Sequence, residues 1–124
     1  MGLDYHVPLQ VLIIPEDKRL VPVLEFINQH LNEPLTLDDL AATFGFSVRN
    51  LTRIFTKSKL KFTNYLNYQR VVRAIELFSE NNKIIQEVAY DVGFTTPSSF
   101  NRVFKQITGL NPTAFCNEMY HKEK

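Results

Sequence analysis

The chain has 124 residues and a formal net charge of +1, with 44% hydrophobic and 22% charged residues. That length allows one compact domain, or two very small ones sharing a core, and excludes a sensor domain together with an output domain. The ordinary apolar and charged fractions exclude a disordered chain, and no apolar run approaches the roughly 18 residues of a membrane span. The longest such run, "VLII" at 11–14, lacks the flanks of a signal peptide, so the cytoplasm is the expected location. The lone Cys116 agrees with a reducing compartment.

Residues 1–19 contain two prolines, and Val7, Leu9, Val11 and Ile13 alternate as in an extended segment. They read as a linker or tail from an upstream region, and the domain proper is expected over 20–120. Leu20, Val23, Leu24, Ile27 and Leu31 fall at helix spacing, and "NEP" closes that first element. Thr36 then precedes "LDDLAATF" with Asp39 three positions on, the spacing of a capping box. Leu37, Leu40, Ala41 and Phe44 make the buried stripe of this second helix.

Gly45 stands where a left-handed C-cap is wanted, Phe46 supplies its hydrophobic contact, and Ser47 can cap a third helix that starts at once. Two helices joined by so short a turn cross steeply, which is the helix-turn-helix unit. In the third helix Leu51, Ile54, Phe55 and Ser58 share one side. The other side carries Arg49, Thr52, Arg53 and Thr56, flanked by Asn50 and Lys57.

A long helix is expected over 63–79, with Tyr65, Leu66, Val72, Ile75, Leu77 and Phe78 as its apolar residues, followed by the turn "ENNK" at 80–83. At 1.5 Å per residue it is a rod of about 25 Å joining two copies of one motif. In the second copy Ile85, Val88, Ala89 and Val92 repeat the stripe of the second helix at an offset of 48, and Gly93 and Phe94 repeat the turn. The turn is one residue longer here. Thr96 becomes the N-cap, and Pro97 takes the first helical position, where a missing N–H costs nothing. Beyond it the offset is 49: Phe100, Val103, Phe104 and Ile107 face inward, while Ser98, Asn101, Arg102 and Lys105 face out beside Gln106. "TGLNP" at 108–112 leads into a terminal helix around 113–120.

The near-neutral total hides an uneven distribution of charge. No acid lies between Asp39 and Glu76, where Arg49, Arg53, Lys57, Lys59, Lys61, Arg70 and Arg73 all fall. A second acid-free window, from Asp91 to Glu118, holds Arg102 and Lys105. Glu16, Asp17, Glu25, Glu33, Asp38 and Asp39 crowd ahead of the first window. Such a one-sided field suits a phosphate backbone. A merely solvated helix face would mix signs, whereas the two outward faces carry none but Arg, Lys and short hydrogen-bonding residues. Arg and Asn suit bidentate contacts to base edges, and Ser and Thr suit base edges or phosphates.

Other chemistry finds no footing in the sequence. His6, His30 and His121 are scattered, no Cys or His cluster has metal spacing, and no glycine-rich phosphate loop exists. No catalytic residue, metal or cofactor is therefore assigned, and the chain does not read as an enzyme. Arg70 and Arg73 on the long helix are expected to be structural or solvated.

The segments "RVVRAIELF" (70–78), "IQEVAYDVGF" (85–94) and "SSFNRVFKQITGLNPTAF" (98–115) resemble, in order and spacing, the DNA-binding domain of AraC/XylS-family bacterial transcription regulators, and the likeness covers about 20–120. The resemblance implies an all-α fold of about seven helices, with two helix-turn-helix subdomains (about 20–61 and 80–120) joined by the long central helix. By position it implies base reading by Arg49, Thr52 and Arg53 in the first motif and by Pro97, Ser98, Asn101 and Arg102 in the second. Pro97 has no hydrogen bond to give. The chain departs from the family at Leu60, where many relatives carry Gly in a tight left-handed turn, and at Ile84, which replaces the usual capping residue or Pro.

The expected activity is sequence-specific binding of double-stranded DNA by a transcription activator that places two recognition helices in successive major-groove segments. Backbone contacts are expected from Ser47, Asn50, Thr56, Lys57, Lys59, Lys61, Thr96, Lys105 and Gln106. RNA polymerase is the expected protein partner, with a homodimer formed through an upstream domain. The alternative is a helical protein-interaction module that binds DNA only weakly.

Overall fold

The computed structural model describes residue 15 and residues 17–80 and 84–121. The extended reading of the N-terminal tail and most of the "ENNK" turn fall outside the described residues. Those residues form seven α-helices and no strand: α1 (Leu20–Gln29), α2 (Leu37–Phe44), α3 (Val48–Lys57), α4 (Phe62–Glu80), α5 (Ile85–Asp91), α6 (Pro97–Thr108) and α7 (Pro112–Cys116). A π-helical stretch, Asn117–His121, continues α7, where a regular helix to about residue 120 was expected. The chain divides into two compact units, with the boundary inside α4 between Gln69 and Arg70.

The first unit is organised by short-range chemistry at its helix ends. Thr36 accepts from the Asp39 backbone N–H at 3.0 Å and opens α2. Gly45 closes it at φ 77°, and the Phe46 N–H reaches back to the Ala41 carbonyl at 2.8 Å. Ser47 at once accepts from the Asn50 N–H at 3.0 Å and opens α3. Each cap contributes about 1 kcal/mol. The side chains so aligned bury Leu40, Ala41, Leu51, Ile54 and Phe55 against Leu20, Val23, Leu24 and Ile27 of α1 and Tyr65 and Leu66 of α4. The Tyr65 hydroxyl accepts from Asn28 at 3.0 Å, which satisfies the one polar end in this core.

The end of α3 corrects the expectation drawn from Leu60. The left-handed turn is present, one residue earlier, with Lys59 at φ 60°, the single positive φ of a non-glycine residue among the described residues. The Leu60 N–H bonds to the Phe55 carbonyl at 2.9 Å and the Lys59 N–H to that of Thr56 at 2.8 Å. This Schellman pattern leaves Leu60 to make the apolar contact that follows it.

The second unit repeats the arrangement on a more aromatic core. α5 has no side-chain cap at Ile84, which is 61% exposed, and its carbonyl starts the helix by accepting from Val88. Gly93 is left-handed and the Phe94 N–H reaches the Ala89 carbonyl at 3.0 Å, so this turn closes like that at Gly45. Thr96 caps α6 through the Ser99 N–H, with Pro97 in the first turn as expected. Phe100 and Phe104 are wholly buried. Their ring centroids lie 5.4 Å apart, Phe94 stands 5.3 Å from Phe100, and Phe115 stands 5.3 Å from Phe104. Tilted and edge-to-face pairs at these distances add to the burial of large apolar area. The α4 residues Val71 and Ala74, not expected in the core, are fully buried in it.

Candidate nucleic-acid interface

The caps at Ser47 and Thr96 fix where α3 and α6 begin, and the buried stripes fix their rotation. What remains outside is settled by helix geometry. On α3, Arg49, Thr52, Arg53, Thr56 and Lys57 are exposed and Asn50 is half-buried. On α6, Ser98, Asn101, Arg102, Lys105 and Gln106 are exposed, and Pro97 is half-buried at the first position. Lys59 and Lys61 are exposed just beyond α3. Each expected set of outward residues thus shares one face of its own helix.

None of these charged side chains has an ion-pair partner among the described residues; the two pairs resolved are Asp17 with Arg19 and Arg73 with Glu76. Lys57 is close enough to Asp17 to help hold that carboxyl down, and the other charges are left to solvent or to a ligand. Ser47 and Thr96 differ from the rest of the expected backbone contacts. The Ser47 oxygen accepts the Asn50 N–H but keeps its own proton to donate, whereas Thr96 both accepts from the Ser99 N–H and donates to the Ser99 hydroxyl at 3.2 Å.

Three other cations, all arginines, have structural duties. Arg70 is buried, its guanidinium 5.7 Å from the Phe94 ring centroid, and burial pushes its pKa down. Arg73 bonds Glu76 at 2.9 Å on the same helix. Arg19 bonds both oxygens of Asp17, at 3.0 and 2.6 Å, and lies 5.8 Å from the Phe46 ring centroid, which ties the approach to α1 to the turn between α2 and α3. The hydrogen bonds from Arg19 hold the Asp17 carboxyl down at about 2.

Two further residues line the surface beside the second face and were missed in the sequence. Asn111 and Thr113, at the start of α7, border a concavity that also contains Ser98, Asn101, Arg102 and Lys105. They follow α6 in the chain, and no helical period links them to it.

A short-turned helix pair of this kind, present twice and each time with an acid-free outer face on its second helix, defines a helix-turn-helix protein. Residues 40–118 match the model of a helix-turn-helix domain family. The chain belongs to that family in its AraC type, whose members are DNA-binding transcription regulators. It is 31% identical over 102 residues to the regulatory protein PocR of Salmonella typhimurium, a match that covers 82% of this chain and 34% of PocR. The chain therefore spans about a third of that relative. Among solved structures, the DNA-binding domain of the global transcriptional factor AdpA in complex with a target DNA superposes with a TM-score of 0.75 at 25% identity, covering 84% of this chain and 97% of that one. The C-terminal domain of AraT, a response regulator from Geobacillus stearothermophilus, shows the same fold with a TM-score of 0.77 at 23% identity, over 87% of this chain and 98% of that one.

Proposed function

We propose that the chain is a sequence-specific reading module of a transcription activator, and that α3 and α6 enter successive major-groove segments of one promoter. Arg49, Thr52 and Arg53 read bases from α3, and Ser98, Asn101 and Arg102 read them from α6. Asn50, Thr56, Lys57, Lys59, Lys61, Lys105 and Gln106 hold the phosphates, together with the free hydroxyl proton of Ser47. The observation that carries this reading is the pair of exposed faces whose cations form no ion pair with a carboxylate among the described residues. A side chain already engaged by the protein would have to break that bond before reaching a base.

Exposed acids sit on the first helix of each motif instead, with Asp38 and Asp39 on α2 and Glu87 on α5. They give each unit exposed charge of opposite sign on the helix before the outward face, and RNA polymerase is the protein partner we assign to these acids. The complex of AdpA with a target DNA supports the DNA half of the proposal by likeness.

Selection of bound duplexes from a randomised library at near-physiological salt tests it. Two enriched blocks about 10 bp apart are expected. A single block would mean that the helix beginning at Pro97 only grips the backbone. A folded chain that enriches nothing would refute base reading by this chain and favour the protein-interaction module.

A further inference from the structure

The chain duplicates more than its reading helices. After α3 the left-handed residue is Lys59 and the next helix opens at Phe62; after α6 it is Gly109 and the next helix opens at Pro112. From this turn onward the two copies align at an offset of 50, because the left-handed residue after α6 comes one position later, relative to the outward face, than that after α3. Lys61 then matches Asn111, and Thr63 matches Thr113. Lys61 and Thr63 border an open concavity in the first unit, and Asn111 and Thr113 border one in the second. In the first unit a space of about 680 Å³ has Thr52, Thr56, Lys61 and Thr63 among its lining residues, and the rest of its wall is mainly apolar, from Leu35 and Leu37 to Phe55, Leu60 and Phe62. In the second a space of about 490 Å³ is lined by Asn101, Lys105, Asn111 and Thr113 together with Ser98 and Arg102. Thr52 and Thr56 of the first set correspond to Asn101 and Lys105 of the second at the reading-helix offset of 49. Four of the six residues that line the second space therefore have a counterpart among those that line the first.

Neither lining contains a carboxylate, and each contains a lysine and several neutral donors. The hydroxyls of Thr63 and Thr113 are on exposed residues and make no hydrogen bond among the described residues. We infer that each concavity is a cradle for one backbone phosphate of the bound duplex, closed by Thr63 in the first unit and by Thr113 in the second. This rests on the DNA-reading proposal above and deepens it, since neither threonine lies on a reading helix. The geometry gives the reason for the position. A helix lying in the major groove has a sugar-phosphate strand along its flank, and contacts to that strand fix its register without carrying sequence. The cradle begins on the flank of the reading helix and ends on the helix that follows. Its lysine supplies charge and its threonine a directed donor, and a hydrogen bond to an ionised oxygen is about twice as strong as a neutral one. The apolar wall of the first cradle can also take the face of a deoxyribose.

The test uses the 124-residue chain and the duplex it selects. Fluorescence anisotropy is measured against duplexes in which one phosphate at a time is replaced by an uncharged methylphosphonate, for wild type, Thr63→Val and Thr113→Val. Each valine variant is expected to bind about threefold to tenfold more weakly. Each should also lose its sensitivity to replacement at one phosphate while keeping it at the phosphate read by the other cradle. Thr63→Ser and Thr113→Ser, which keep the hydroxyl, should behave as wild type. Valine variants that bind like wild type, or that weaken yet keep every methylphosphonate effect, would overturn the cradles and leave base reading intact. A wild-type chain that binds no duplex would overturn the reading beneath them, an outcome visible before any variant is made.

Discussion

Replacing Lys59 by glycine should move stability and DNA affinity in opposite directions. Lys59 occupies the left-handed region at φ 60°, where an L side chain costs about 1–2 kcal/mol because its Cβ crowds the following carbonyl. Glycine removes that cost but gives back roughly 0.5–1 kcal/mol through the greater freedom of the unfolded chain. The net gain is about 0.5–1 kcal/mol. Nothing is lost in exchange within the fold, because Lys59 is exposed and its ammonium has no partner among the described residues. The bonds that close the turn, from the Lys59 and Leu60 N–H groups to Thr56 and Phe55, are backbone bonds that glycine retains. With an unfolding entropy of about 2.1 cal/mol/K per residue, a gain of this size raises Tm by about 2–4 °C for 124 residues.

The cost appears only with DNA. If Lys59 neutralises one phosphate, its loss should reduce the slope of log affinity against log salt by about 0.9. Thermal unfolding followed by circular dichroism and a salt series of anisotropy titrations measure the two effects on one sample. A variant less stable than wild type would refute the strain assigned to Lys59. An unchanged salt slope would remove Lys59 from the backbone contacts.

Arg53→Ala and Arg102→Ala should each cost about 1–3 kcal/mol on the selected duplex and relax choice at one base pair, checked by repeating the selection; an equal loss on every sequence would make that residue a phosphate contact. Phe104→Ala should destabilise the chain by about 3–5 kcal/mol in urea unfolding, because the ring is wholly buried between Phe100 and Phe115. Ser47→Ala and Thr96→Ala should each cost about 1 kcal/mol by removing the hydroxyl that opens a reading helix. The Asp17 carboxyl, held down at about 2 by Arg19 from the ordinary 3.8, contributes at all pH above about 4; the contribution fades as pH falls through about 2, and an NMR titration of that carboxyl should show its midpoint there.

The legible parts of the fold were those set by neighbours in the chain. Thr36, Ser47 and Thr96 announce their helices because a cap needs only a hydroxyl and an N–H three residues on. Gly45 and Gly93 announce their turns because few other residues tolerate a positive φ. By the same logic the turn at Lys59 was hidden, since its residue type argues against the conformation it adopts. The α4 residues Val71, Ala74 and Arg70 were hidden for a different reason. Tyr65 and Leu66 of that helix join the first core, and residues from Val71 onward join the second, so no single stripe runs its length. Arg70 reads as a surface cation until Phe94 is found beside it. Asn111 and Thr113 meet the outer face of α6 only through packing of α7, which no periodicity reports.

Duplication gave two similar frames, and their differences divide the proposed work. The first motif leaves its reading helix through Lys57, Lys59 and Lys61, three exposed cations within five residues. At the corresponding exit the second has Gln106, Gly109 and Asn111, which are neutral, and Lys105 is its nearest charge. Counterion release scales with the phosphates neutralised, so the first head should supply most of the salt-dependent affinity. The second reads with Ser98, Asn101 and Arg102, of which Asn and Arg form the bidentate base pairings that discriminate best. Its larger aromatic core holds α6 through Phe100 and Phe104, and a rigid frame is what directional contacts require. On the proposed reading, substitutions at Lys57, Lys59 and Lys61 should weaken binding across sequences, and those at Ser98, Asn101 and Arg102 should change which sequence is bound.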